Sequence, residues 1–87
     1  MPRYFTMHTL ACLTRQGAEA LAARLHSATA LKAERTLFNM VEGKMLVEFE
    51  AGDRAALENW LRSEEIHYDW LFRMEFEASG GKLIPLR

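Results

Sequence analysis

From His67 to Glu77 the chain alternates without a break. Tyr68, Trp70, Phe72, Met74 and Phe76 take every second position, and Asp69, Leu71, Arg73, Glu75 and Glu77 fill the gaps. Successive side chains of a strand point to opposite faces, so this pattern predicts a strand with one apolar and one mostly polar face. Its aromatic side is expected to form the wall of the core, with Trp70 and Phe72 under Trp60.

The same contrast recurs at Met45–Ala51, where Met45, Val47, Phe49 and Ala51 face one way and Leu46, Glu48 and Glu50 the other. Ala33–Met40 reads as the strand before it. The two are joined by Val41-Glu42-Gly43-Lys44, in which Gly43 takes a positive φ at little steric cost. Arg3–Leu10 is a further strand, with Phe5, Met7 and Thr9 on one face and Tyr4, Thr6, His8 and Leu10 on the other. Neither face is cleanly polar, as in a central strand covered on both sides.

Two stretches change to helical spacing. Ala18, Leu21, Ala22, Leu25 and Ala28 predict a helix over 15–27, with Thr14 placed to cap it. Ala56, Leu57, Trp60 and Leu61 predict a second, capped by Asp53, whose charge suits a helix N-terminus. Ser79-Gly80-Gly81 reads as a hinge, and Pro85 limits the apolar tail after it to a short edge strand at most. The element order predicts an α+β, ferredoxin-like β-α-β-β-α-β sandwich, a four-stranded antiparallel sheet with both helices on one face. Residues 1–78 would form this single domain, and residues 79–87 a tail docked on the sheet or on a partner subunit.

Composition narrows the function classes. At 87 residues the chain builds one small domain, for which association is a natural supplement to the core. Net charge is -1 and the basic residues are scattered, which argues against a nucleic-acid partner, since phosphate binding draws on clustered cations. Cys12 is the single cysteine, so no internal disulfide forms and a reducing compartment is expected. MPRYFTMH lacks the pattern of a signal peptide, and no run approaches the ~18 apolar residues of a membrane span. The expectation is a cytoplasmic chain with no membrane partner.

With the aromatic face covered by helices, the open sheet face would carry His8, Glu48, Glu50, Arg35 and Arg73 beside Tyr4, Leu10, Leu46 and Leu71. Such a mixture suits a second subunit, so a homodimer enclosing a cavity is expected. An imidazole flanked by carboxylates can hold a metal or move a proton. The candidate ligand-binding residues are therefore His8, Glu48, Arg73, Tyr4 and Arg35. The candidate metal ligands are His8, Glu48 and Glu50, the two glutamates about 7 Å apart by two strand rises. His26 and His67 read as surface and strand-entry residues, and Cys12 as a small buried filler. No CxxC, HExxH, GxGxxG or P-loop pattern is present. Three readings stay open. One is a module binding a small molecule or metal ion, and another is a structural dimerisation module. The third is a small cofactor-independent isomerase or monooxygenase-like enzyme, with His8 as acid/base and Arg73 holding an anionic substrate.

A first strand containing FTMH, the hairpin ERTLFNMVEGKMLVEFEA, the Asp53-led helix and a last strand beginning HYDWLFRME together resemble a family of small bacterial ferredoxin-like proteins, some of them nickel-binding. The resemblance spans residues 3–77. It implies a divalent transition metal such as nickel, with His8 matching the histidine that ends the first strand of the metal-binding members. The related dimeric α+β barrel enzymes, such as muconolactone isomerase-like proteins and small monooxygenases, imply by analogy a cavity between paired sheets.

Overall fold

A computed structural model describes residues 1–86. The elements run β1 (Arg3–Thr9), α1 (Arg15–His26), β2 (Lys32–Asn39), β3 (Lys44–Glu50), α2 (Arg54–Ser63), β4 (Trp70–Met74), β5 (Phe76–Ser79) and β6 (Lys82–Pro85). The expected ferredoxin-like β-α-β-β-α-β sandwich is corrected here. Among the described residues, six strands form two sheets, one four-stranded and antiparallel in the order β2-β3-β1-β4, the other the β5–β6 pair. The run 67–77 is not one strand. Pairing with β1 stops at Arg3↔Met74, and the Glu75 carbonyl accepts from the Leu86 N–H at 2.8 Å instead. Ser79-Gly80-Gly81 is accordingly a turn rather than a hinge. Ser79 pairs with Lys82, and Gly80 and Gly81 have φ of 59° and 79°, the two positive values that a type I′ hairpin turn requires. Of the expected tail, Arg87 lies outside the described residues.

Both helix starts are capped as expected. The Gly17 N–H donates to Thr14 Oγ1 at 3.0 Å and the Ala56 N–H to Asp53 Oδ1 at 2.7 Å. Leu25 of α1 and Leu57 and Leu61 of α2 close over Met45, Val47, Phe49 and Ala51, the apolar face expected for β3. Trp60 meets Phe49 edge-on, with ring centroids 6.0 Å apart, and so covers β3 rather than Trp70 and Phe72.

The aromatic face of β4 is turned the other way from expectation. Leu71 is buried, whereas Trp70 and Met74 are half-buried and Phe72 is 53% exposed. Register explains the reversal. Directly paired residues of antiparallel strands share a face, and Val47, Thr6 and Leu71 form one line across β3, β1 and β4. Val47 is under the helices, so Leu71 is too, and the larger apolar residues on either side of it face out. In β1 the buried residues are Tyr4, Thr6 and His8. They face the helices, not the open side assigned to them above.

Candidate functional site

The open face of the four-stranded sheet is graded along the strands. Leu37, Leu46, Met7 and Trp70 are successive partners across all four strands and form an apolar row. The next row on that face reads Arg35, Glu48, Phe5 and Phe72. Beyond it lie Glu50, Arg3 and Met74, with Lys32 opposite Glu50. A bulge between Ala33 and Arg35 shifts the register there and sets Glu34 on the same side as Arg35, both lining one cleft. One end of the face is therefore apolar and the other charged, with Phe5 and Phe72 between.

The cleft opens over the charged end and encloses about 690 Å³. Its floor is Arg3, Phe5, Arg35 and Glu48, and its wall is Met74 with Phe76, Glu77 and Leu86 of the hairpin region. Glu48 Oε2 accepts from Arg3 Nη1 at 2.8 Å, and its Oε1 lies 3.5 Å from Arg35 Nε. Arg3 also reaches Glu50 at 3.7 Å. A hydrogen bond shared with Glu50, aided by the Lys32 ammonium, holds the Glu34 carboxyl below its usual range. The Arg35 side chain is 62% exposed and touches Glu48 only at long range, which leaves guanidinium donors turned to solvent. A planar guanidinium and aromatic side chains lining one cleft suit a small anion that carries an apolar body.

His8 is not part of this cleft. Its partner across the ladder is Met45, on the covered face, whereas Glu48 is opposite Phe5 on the open one. The His8 ring is fully buried and both nitrogens are engaged. Nδ1 is 2.6 Å from the His67 carbonyl, and Nε2 is 2.7 Å from Thr6 Oγ1. A carbonyl only accepts, so Nδ1 carries the proton and Nε2 of the neutral ring accepts from the Thr6 hydroxyl. Burial pushes the imidazole below its usual pKa, opposed in part by the His67 hydrogen bond and the nearby Asp69 carboxylate. The ring ties β1 to the segment that leads into β4. Alongside it, Thr9 Oγ1 donates to Asp69 Oδ2 at 2.6 Å and the Asp69 N–H donates to the Met7 carbonyl at 2.6 Å.

The remaining candidates divide between the two faces. Arg35 joins Glu48 in the cleft. Tyr4 is buried on the helix side, and Arg73, its ladder partner, emerges at that side's rim and is exposed. Glu50 shares the open face with Glu48 but not with His8. Among the described residues no group of three His, Cys, Asp or Glu side chains stands where it could hold a metal ion. His8, Glu48 and Glu50 therefore do not fit a nickel-type site. Cys12, expected as a buried filler, is exposed at a φ of 52°. The sequence reading missed Arg3, Phe5 and Phe76. The apolar character of Phe5 and Phe76 assigned them to a core, and the link from Arg3 to Glu48 spans 45 residues, beyond any local pattern. Among the described residues no helix is long and apolar enough to cross a membrane. Comparisons with protein-family models, with curated proteins and with solved structures each find no match.

Proposed function

We propose that the chain is a homodimeric binding module that takes a small anion with an apolar body into the cleft on its open sheet face. One observation carries the reading: the exposed Arg35 guanidinium lines the same cleft as Phe5 and Phe76, with Glu48 between Arg35 and Phe5 on the sheet, so a charged head-group site and an apolar slot share one cavity. Pairing is supported by the surface around it. Leu37 is 49% exposed, and together with Phe72, Leu46, Met7 and Trp70 it makes an apolar area continuous across the sheet. Contiguous patches of this kind mark interaction sites.

The test uses benzoate and octanoate as probes against the ¹⁵N-labelled chain. Chemical-shift changes should cluster at Arg3, Phe5, Arg35 and Phe76, and Arg35→Ala should weaken binding roughly tenfold, the loss of about one charge-assisted hydrogen bond. Sedimentation should return twice the 10.0 kDa chain mass. Binding unaffected by Arg35→Ala, or shifts scattered away from the cleft, would remove the ligand site. A dimer that binds neither probe would leave the structural dimerisation module as the better account.

A further inference from the structure

We infer that the β5–β6 hairpin is a clasp for a second copy of the chain, its apolar face seated on that copy's Leu37–Leu46–Met7–Trp70 row. The inference rests on the pairing proposed above and says how the two copies engage.

Every residue of β5 and β6 is exposed. Phe76 is opposite Pro85 and Ala78 is opposite Leu83, so these four share one face of the ribbon, and Leu83 on it is 68% exposed. A lone two-stranded ribbon is marginal in water and needs a packed face to persist. The radius of gyration is 13.5 Å, against about 12 Å for a compact chain of this length, as an arm standing off the body requires.

The arm and the row are thus both uncovered apolar surfaces. They lie at opposite ends of the open face, because the arm leaves from Met74 at the Arg3 end and the row crosses at Met7. Two sheets stacked face to face can be related by a two-fold axis along the strands or by one across them. The first sets like ends together, leaving arm beside arm and charged row over charged row. The second reverses the ends, so that each arm lies over the other copy's apolar row, and both surfaces are covered twice by one isologous contact. The area suffices. Four strands at about 4.8 Å and six residues at about 3.4 Å each span nearly 400 Å², and the arm adds roughly 130 Å² in projection. Together they come to roughly 530 Å² per partner, below the ~800 Å² of a standard interface but enough for the two copies to clear the ~1,000 Å² total expected of a biological one. The arm's base also walls the cleft, so the clasp would couple pairing to the ligand site.

The test places a nitroxide at the hairpin turn of the full chain by Ser79→Cys in a Cys12→Ser background. This protein is mixed with an equal amount of ¹⁵N-labelled Cys12→Ser chain. The expected result is loss of the labelled copy's amide signals at Leu37, Leu46, Met7 and Trp70, restored when the nitroxide is reduced. Loss confined to the labelled copy's own hairpin overturns the clasp in favour of arm-beside-arm pairing. No loss in a sample that sediments as a dimer also overturns it, while the dimer stands. A sample sedimenting at 10.0 kDa fails the pairing itself. As a second variant, Leu83→Asp should convert dimer to monomer with the circular dichroism spectrum unchanged. A dimer undisturbed by Leu83→Asp refutes the clasp.

Discussion

His8→Phe keeps a ring in the buried site but removes both nitrogens. The Thr6 hydroxyl and the His67 carbonyl, 2.7 and 2.6 Å from the imidazole, are then left facing an apolar edge. Each buried polar group deprived of its partner costs about 1–3 kcal/mol, so the pair is worth about 2–6 kcal/mol. For a domain of this size that lowers Tm by at least about 8 °C. A second signature follows from the imidazole's lowered pKa, which burial causes. Below the ordinary value of 6.5 the unfolded chain takes up a proton at His8 that the folded chain still refuses. The unfolded state then binds more protons, so stability rises with pH across this window and falls on acidification. The contribution is complete above pH 6.5 and declines below it by at most about 1.4 kcal/mol per pH unit until the folded ring also titrates. Urea unfolding followed by tryptophan fluorescence, at fixed protein concentration between pH 5.2 and 7.5, measures both effects. Wild type should lose stability from pH 6.5 downward, and His8→Phe should start lower and follow a flatter profile. Equal slopes in the two proteins, or a wild type that gains stability on acidification, would refute the assignment of His8 as a buried neutral tie.

Gly43→Ala should destabilise by about 2–3 kcal/mol in chemical denaturation, because a Cβ there would stand 2.7 Å from the Leu10 carbonyl oxygen at a φ of +66°. Gly80→Ala shares the positive φ but meets nothing within 4 Å, so it should cost only about 1 kcal/mol in the same assay. Asp53→Ala removes the acceptor of the Ala56 N–H and should cost about 1 kcal/mol, with helical ellipticity retained at 20 °C. Leu61→Ala, at a fully buried α2 position, should cost about 2–5 kcal/mol, readable as a drop in the urea midpoint at unchanged slope.

The two helices, their caps and the β2–β3 hairpin were legible because each rests on short-range chemistry: apolar spacing, an Asp or Thr ahead of the stripe, a glycine in the turn. What was not legible was the side to which β1 and β4 turn. In β4 the apolar set Trp70, Phe72 and Met74 outweighs Leu71, and alternation alone assigns the heavier set to the core. The structure buries Leu71 because Val47 fixes the inner face and ladder register carries that choice through Thr6. Register is a long-range property, absent from any window of the chain. The same error displaced the candidate site, since placing the aromatic stripe inside sent His8 and Arg73 to the open face in thought, while the fold sends Phe5, Arg3 and the aromatics there. Arg35, Glu48, Glu50 and Leu46 were expected on that face and are found there, because β3 was read on the correct side. The second sheet was hidden for a related reason: the alternation passes through Glu75 unbroken, and nothing local marks where pairing with β1 ends.

The bulge at Ala33–Arg35 has a meaning for colloidal behaviour. Strand β2 is a free edge of the sheet, and a long regular edge is a template on which stray strands polymerise. By setting one extra residue between the partners of Phe49 and Glu48, the chain breaks the regular run of outward-facing amides. Deleting Glu34 would let Ala33 and Arg35 follow one another in register and straighten the edge. The shortened chain would keep its inner face intact, yet in thioflavin-monitored incubation it should assemble into fibres sooner than the parent.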